Sequence, residues 1–329
     1  MTGGIYRPET DGALLAMVNV YKTFPVRKSF FAGEDLRVRA VDGVSLTVPP
    51  GKTLGLVGES GCGKTTLARL AIRLLDPDSG AIRFDGDDIT RMGGEELRGK
   101  RRQMQIVFQD PYSSLNPRMR VRDIVGEGGL VHGVARGKEL REMAERLLVR
   151  VGMPAEAGEK YPHEFSGGQR QRIGIARAIA LSPKLVVADE PVSALDVSVQ
   201  AQILNLLKDL QEEYGMAYLF VSHDLRVIRH VSDKVAVMYL GKVMETGPAA
   251  ELFREPRHPY TRSLLSAVPM LGDVPSERIV LSGEIPSPVA PPPGCRFHTR
   301  CFMAEKVCAE VCPLLCEIAP GRFAACHFV

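Results

Sequence analysis

The sequence predicts an α/β protein whose mainly parallel sheet is covered by helices on both faces. Three observations carry that expectation. Short apolar runs, "TLGLVG" (53–58), "KLVVAD" (184–189) and "AYLFVS" (217–222), have the length and composition of buried strands. Stretches with helical periodicity separate them. A glycine-rich loop, "GESGCGKT" (58–65), joins the first run to a helix.

Taken in order, residues 14–24 form the first expected strand. In "VSLTV" (44–48), Val44, Leu46 and Val48 alternate with polar residues, the pattern of a half-buried strand. "PPG" (49–51) turns the chain into the first apolar run, and "TTLARLAIRLL" (65–75) follows as a helix. "DPDSG" (76–80) is a turn and "AIRFDG" (81–86) a strand. The basic run "LRGKRRQ" (97–103) lies in a helical segment and is expected to be a solvated face, not a phosphate patch. From about 110 to 180 the chain becomes helical, with Leu140, Met143, Ala144, Leu147, Leu148 and Val151 on one face. Residues 197–213 form a further helix with Leu204, Leu207 and Leu210 on one side. After about residue 250 the pattern stops, and "PSPVAPPPG" (286–294) is extended, neither helix nor sheet interior.

With 329 residues, 45% of them hydrophobic, the chain can bury a sizeable core in one to three domains. A net charge of +3 is too small to imply a nucleic-acid partner. The N-terminus carries no basic region followed by an apolar block, and no stretch approaches the eighteen apolar residues of a membrane span. The expected location is therefore cytoplasmic. Thiols stay reduced there, which makes the cysteines of the tail metal ligands sooner than disulfide partners.

The loop "GESGCGKT" matches G-x-x-x-x-G-K-[ST]. Gly58, Gly61 and Gly63 let the backbone fold tightly with its N–H groups inward, and the helix that follows adds its positive end. The candidate nucleotide-binding residues are Gly58, Glu59, Ser60, Gly61, Cys62, Gly63, Lys64, Thr65 and Thr66. Lys64 would reach the β- and γ-phosphates and Thr65 would hold Mg²⁺. "LVVADE" (185–190) is a buried strand ending in two carboxylates. Asp189 can bind Mg²⁺ through water, and Glu190 can polarise an attacking water, although a surface acid after a strand is the plainer alternative. In "EFSGGQRQRIGIARAI" (164–179), Ser166, Gly167 and Gly168 open a helix and make a second anion site with no lysine of its own. That makes most sense if two subunits face each other across each nucleotide.

This stretch resembles the signature motif of the ATP-binding cassette (ABC) family. The family's other motifs follow: Gln109 in "VFQD" as the Q-loop, "SALD" (193–196) as the D-loop, and His223 in "VSHD" as the switch histidine. The resemblance covers roughly residues 14–250. It implies a P-loop, RecA-like ABC nucleotide-binding domain over 1–250, with a helical subdomain at about 110–183 and a small cysteine-rich C-terminal extension over 251–329. It further implies ATP bound between two cassettes, closing them, and hydrolysis reopening them. Thr65, Gln109 and Asp189 would manage Mg²⁺, with Glu190 as general base and His223 holding the γ-phosphate. Ser166 and Gly168 would act on the opposite subunit's nucleotide, and Asp196 would communicate across the interface. For adenine stacking the first candidate is Phe24 and the second Tyr21; either could be a core residue instead.

"HPYTRSLLSAVP" (258–269) and "GEIPSPVAPPPGCRFHTRC" (283–301) resemble the C-terminal extension of ATPases from oligopeptide and dipeptide importers. The segment "FPVRKSFFAGEDLRVRAVDGVS" (24–45) and "FQDPYSSLNPRM" (108–119) resemble the same branch. The implied partners are a sister ABC ATPase subunit in a heterodimer, two transmembrane permease subunits and, indirectly, an extracytoplasmic substrate-binding protein. The chain would be peripheral at the cytoplasmic face of the membrane and would not touch the cargo. Relatives that handle nickel chelates or glutathione remain alternatives. A soluble ABC ATPase without a transport role is a rival from another class, but the interval between loop and signature carries neither heptads nor metal spacing. A metal or redox sensor that happens to carry an ATPase is a second rival.

One cysteine, Cys62, precedes residue 295, and six stand from Cys295 onward. Cys295, Cys301, Cys308 and Cys326 are spaced C-x5-C-x6-C-x17-C. By resemblance this is the ligand set of a [4Fe–4S] cluster found in some relatives. Independently, a proline-rich segment of ~40 residues buries too little apolar surface to order itself and is expected to need a metal. Four thiolates suit iron–sulfur, with zinc as the alternative. Cys312 and Cys316 are expected to be non-ligands. The expected role is structural, with the ATP chemistry elsewhere.

Overall fold

The computed structural model describes residues 4–26, 36–267 and 279–329; residues 27–35 of the expected N-terminal branch segment, and the last two residues of "HPYTRSLLSAVP", lie outside them. The chain divides into two compact units, Met1–Val48 with Leu54–Thr90 and His223–Val329, and Pro49–Thr53 with Arg91–Ser222.

The first unit begins with β1 (Leu15–Pro25) and β2 (Arg37–Val48), followed by β3 (Thr53–Val57), α1 (Lys64–Ala71), β4 (Ser79–Phe84) and β5 (Asp87–Asp88). Four strands make an antiparallel sheet in the order β2-β1-β4-β5. Leu15 stands opposite Val48, Met17 opposite Leu46 and Val20 opposite Val44. All six are buried, so the alternation in the sequence sets the register. Helix α1 stops short of the expected residue 75. Arg73 adopts a left-handed φ of 55° and turns its guanidinium to the Ile89 carbonyl and to Asp76.

The second unit contains α2 (Gly94–Arg101), β6 (Met104–Val107), α3 (Val121–Val131), α4 (Gly137–Arg150), α5 (Gly167–Ile179), β7 (Leu185–Asp189), α6 (Val197–Tyr214) and β8 (Ala217–Val221). β6 pairs with β7 and β7 with β8, all parallel. Every residue of β7 and β8 is buried, which is why Leu185–Ala188 and β8 appear as unbroken apolar runs. On α4, Ala144 and Leu148 are buried as the helical pattern requires. The helical stretch does not start at 110. Asp110 and Asn116 accept hydrogen bonds from the amides of Tyr112 (2.8 Å) and Arg118 (3.0 Å), local turns that compete with helix.

The chain returns to the first unit through α7 (Leu225–Val231), β9 (Lys234–Tyr239), β10 (Lys242–Pro248), α8 (Ala249–Arg254) and α9 (Pro259–Ser266). It ends with α10 (Lys306–Glu310), β11 (Cys316–Ala319) and β12 (Arg322–Ala324). β9 runs parallel to β3, Leu54 opposite Lys234 and Val57 opposite Val237. β10 is antiparallel to β9, β12 to β10, and β11 to β12. None of these last four strands was expected. The tail therefore does not stand as a separate segment waiting for a metal. Its strands extend an existing sheet, and Phe297, fully buried, packs against Tyr239 (5.4 Å between centroids) and Tyr260 (5.2 Å). A segment too small for a core of its own has joined a larger one. Among the described residues no helix is long and apolar enough to cross a membrane.

Candidate nucleotide site and cysteine cluster

β3 is buried throughout, so it is anchored in the core and delivers the loop 58–65 at a fixed point. Gly63 sits at φ 106°, and a Cβ there would press on the Ala40 carbonyl, so the tight turn into α1 requires glycine. Lys64 opens α1 and is 5% exposed. Its ammonium donates to the carbonyls of Gly58 (2.8 Å) and Glu59 (3.0 Å) and lies 3.8 Å from the Cys62 sulfur. Burial raises the Cys62 pKa, keeping it a thiol. Its carbonyl accepts from the Gly241 amide, beyond β9 (2.9 Å). Ser60 and Gly61 are exposed at the tip, while Thr65 and Thr66 are half-buried in the first turn of α1.

Glu59 is engaged by residues far along the chain. Its amide donates to the Tyr260 hydroxyl (2.9 Å), and Arg300 donates from both terminal nitrogens to its carboxylate (2.7 and 3.2 Å). Neither Tyr260 nor Arg300 was singled out in the sequence, although the stretches that contain them were. The tail therefore touches the loop 58–65.

In the second unit, Asp189 ends β7 and is 2% exposed. Glu190 follows, half-buried, at the left-handed φ of 48°. That conformation costs an ordinary residue ~1–2 kcal/mol. It is held by the backbone: the Glu190 amide donates to Val221 (2.9 Å), and its carbonyl accepts from the amide (3.3 Å) and hydroxyl (3.1 Å) of Ser193. The exposed Gln109 side chain donates to the Glu190 carboxylate (2.9 Å), so the structure brings these two candidates together. Gln200 of α6 donates to the Val192 (3.1 Å) and Leu195 (2.9 Å) carbonyls and fixes the turn 193–196. Asp196 is exposed at the head of α6.

Ser166 caps α5 reciprocally with Gln169: the hydroxyl accepts from the Gln169 amide (3.4 Å), and the Gln169 carbonyl oxygen accepts from the Ser166 amide (3.0 Å). Gly167 and Gly168 form the first turn, and a Cβ on Gly168 would lie 2.6 Å from Val199. The helix start expected for an anion site is present.

In the first unit, His223 is exposed just before α7, whose cap is Asp224. Phe24 is half-buried on β1 opposite Val38, with the Lys22 ammonium 5.6 Å from its ring centre. Tyr21 instead lines a cavity of about 240 Å³ with Asp42, Lys242, Arg296 and Cys312.

All seven cysteines are free thiols. Cys295 and Cys308 are buried, and the Cys295 amide donates to the Cys308 carbonyl (2.7 Å). Burial pushes the Cys295 thiol up to about 11, and the Phe297 amide pulls against it while Cys308, Cys301 and Cys326 push it further. Cys301 and Cys326 are also raised by burial. The Met303 amide donates to the Cys301 sulfur (3.4 Å), and the Phe328 and His327 amides serve Cys326. The four expected thiols thus lie in electrostatic reach of one another, with backbone donors aimed at three of the sulfurs. Among the described residues, however, no three His, Cys, Asp or Glu side chains converge closely enough to hold a metal as they stand. Cys312 is exposed and Cys316 starts β11.

Comparison with known proteins places these features. The family model described as "ABC transporter" matches residues 41–193, and that described as "Oligopeptide/dipeptide transporter, C-terminal region" matches 244–308. The chain is 54% identical, over 95% of its length and 97% of the relative's, to the oligopeptide transport ATP-binding protein AppF of Bacillus subtilis (strain 168). Among solved structures it is similar to the dimeric post-hydrolysis ATP-binding cassette MJ0796 bound to ADP and Pi, with TM-score 0.64, 29% identity, and coverage of 71% of this chain and 98% of that one. It is also similar to cbiO1 of Clostridium perfringens, part of the ABC transporter complex cbiONQ, with TM-score 0.63, 27% identity, and coverage of 74% and 92%.

Proposed function

The chain belongs to the ABC transporter family, in its oligopeptide and dipeptide branch, and from that premise we infer that it is the ATP-hydrolysing subunit of a peptide importer. It drives uptake through membrane permease partners, with a sister ATPase completing the pair and an extracytoplasmic binding protein choosing the cargo. It works at the cytoplasmic face, peripheral to the membrane. The observation that carries the reading is the full set of cassette motifs in order, joined to the importer-type extension.

The proposed roles follow from the chemistry of each residue. Lys64 and the amides of Ser60, Gly61, Cys62 and Gly63 bind phosphate. Thr65, Gln109 and Asp189 supply hard oxygen donors that fit Mg²⁺, which neutralises phosphate charge when bound. Glu190 takes the proton of the attacking water, and Gln109 orients its carboxylate. His223 steadies the γ-phosphate. Phe24 is favoured over Tyr21 for adenine stacking, because Tyr21 faces the cavity beside the extension. Ser166, Gly167 and Gly168 serve the nucleotide of the sister subunit, and Asp196 communicates across the interface.

Cys295, Cys301, Cys308 and Cys326 are proposed as the ligands of a [4Fe–4S] cluster, with zinc as the alternative. What supports the reading is the donor chemistry: four thiols within electrostatic reach of one another, with amide donors on three of the sulfurs, an environment in which a cation would reverse the raised pKa values, although the thiols would have to draw together to hold it. The group would supply cross-linking of the tail.

Glu190→Gln tests the assignment. It should keep ATP binding, slow hydrolysis by ~10²–10⁴ and accumulate an ATP-dependent pair with the sister subunit. Near-normal turnover would remove Glu190 from the role. A wild-type rate per chain unaffected by dilution and by the sister subunit would contradict the split site.

A further inference from the structure

Glu59 is held at three points. Its amide is bound by Tyr260, its carbonyl by Lys64 and its carboxylate by Arg300. The Arg300–Glu59 pair is largely shielded, with side chains 9% and 22% exposed, and it is two-pronged (2.7 and 3.2 Å). Such a pair fixes direction as well as distance. Tyr260 is fully buried and rests on Tyr239 (4.7 Å) and Phe297 (5.2 Å). Tyr239 is the last residue of β9, the strand parallel to β3. The chain just beyond it, at Gly241, holds the Cys62 carbonyl. Two residues of the tail, Phe297 and Arg300, therefore bear on the phosphate loop, and both lie between Cys295 and Cys301.

We propose that Arg300 and Tyr260 are positioning residues for the phosphate loop, and that through them the order of the cysteine-bearing tail sets the chain's affinity for ATP. The inference rests on the ATPase reading above and adds a control point to it. The Gly58–Glu59 peptide is bound by Tyr260 at its amide and by Lys64 at its carbonyl, and Lys64 also donates to the Glu59 carbonyl. A displacement of Glu59 therefore moves the resting place of Lys64 and the amides of residues 60–63. Loop geometry formed before binding spares the nucleotide the cost of ordering it. Losing the latch makes ATP bear that cost. Arg296, next to Cys295, adds a second anchor, donating to the Leu240 carbonyl (3.0 Å) and pairing with Asp42. The tail thus grips both the phosphate loop and the turn after β9.

The test uses the full-length chain and a fluorescent ATP analogue, with the thermal midpoint recorded for every variant. Arg300→Gln should raise the dissociation constant about five- to tenfold. Tyr260→Phe, which keeps the ring and removes only the hydroxyl, should raise it about threefold. Arg300→Lys, able to hold one carboxylate oxygen, should fall between wild type and Arg300→Gln. Glu59→Gln combined with Arg300→Gln should bind no more weakly than the weaker single variant, the signature of one shared contact. Affinity within twofold of wild type in both Arg300→Gln and Tyr260→Phe overturns the proposal, as do additive losses in the Glu59/Arg300 cycle. Should Arg300→Gln fail to fold, Tyr260→Phe decides alone. A wild type that binds no ATP would fail the ATPase reading instead, so the two failures are distinct.

Discussion

Phe297→Ala is the sharpest probe of whether the tail is an appendage or part of the first unit's core. The ring is fully buried, with centroids 5.4 Å from Tyr239, 5.2 Å from Tyr260 and 5.9 Å from His258. A buried aromatic side chain removes ~150–250 Å² from water. At ~25 cal/mol per Å² that is ~4–6 kcal/mol as an upper bound. Alanine keeps its Cβ, and the three rings and the sheet behind them can close only partly, so the loss should be ~3–5 kcal/mol.

Hydrogen exchange read by mass spectrometry locates that loss; the chain has no tryptophan to report it by fluorescence. If Phe297 belongs to the common core, the variant should lose protection in β9 and in residues 58–66 as well as in the tail. Exchange that rises only within 279–329, with β9 and the phosphate loop as protected as in wild type, would refute the reasoning. So would a destabilisation below ~1.5 kcal/mol, since no surface explanation is open to a fully buried ring.

Two further outcomes are expected. Protein purified without oxygen should be brown and carry about four irons per chain, and Cys301→Ser should lose the metal and, through its neighbour Arg300, weaken ATP binding; colourless protein with stoichiometric zinc defeats the cluster, and metal retained in Cys301→Ser defeats the ligand set. Acid should destabilise the first unit through His258. Burial lowers the pKa of this imidazole from 6.5 to about 3, and its Nδ1 accepts from the Tyr260 amide (3.0 Å). The unfolded chain binds the proton first, so stability is complete above pH 6.5 and falls on acidification towards 3, by up to ~1.4 kcal/mol per pH unit. His258→Asn, which can still accept from that amide, should flatten the slope; an unchanged urea-unfolding profile between pH 7 and 5 would exclude His258 as its source.

What could be read in advance was what local pattern encodes. β8 and the residues Leu185–Ala188 of β7 are unbroken apolar runs because both faces are covered. The loop 58–65 was legible because glycine spacing and a lysine carry the chemistry directly. β9, "KVAVMY", was equally apolar and could have been found by the same rule. β11 and β12, of four and three residues, could not, since the pairing of β12 with β10 and of β11 with β12, and not their own composition, makes them strands. The latch was illegible for a related reason. Glu59 and Arg300 stand 241 residues apart, and no periodicity reports a contact at that range.

Lys64 and Glu190, proposed above as phosphate ligand and base, are held in different ways, and this decides which substitutions are informative. Lys64 rests on a peptide gripped by distant side chains, so its geometry is exposed to changes far along the chain. Glu190 is placed by its own backbone. Its left-handed conformation costs ~1–2 kcal/mol, and three hydrogen bonds through its amide and carbonyl, each contributing ~0.5–1.5 kcal/mol, are enough to offset it. None of the three uses the carboxylate. Replacing Glu190 by glutamine therefore keeps the backbone and the reach of the side chain while removing the charge and the basic oxygen. Replacing it by glycine would also release the strain, so a rate measured on that variant would mix lost chemistry with relaxed geometry. The Gln109 contact has the same logic in reverse, because it engages only the carboxylate and leaves the backbone of Glu190 untouched. Gln109→Ala should accordingly disturb the orientation of the Glu190 carboxylate without moving the turn 190–193 that carries it.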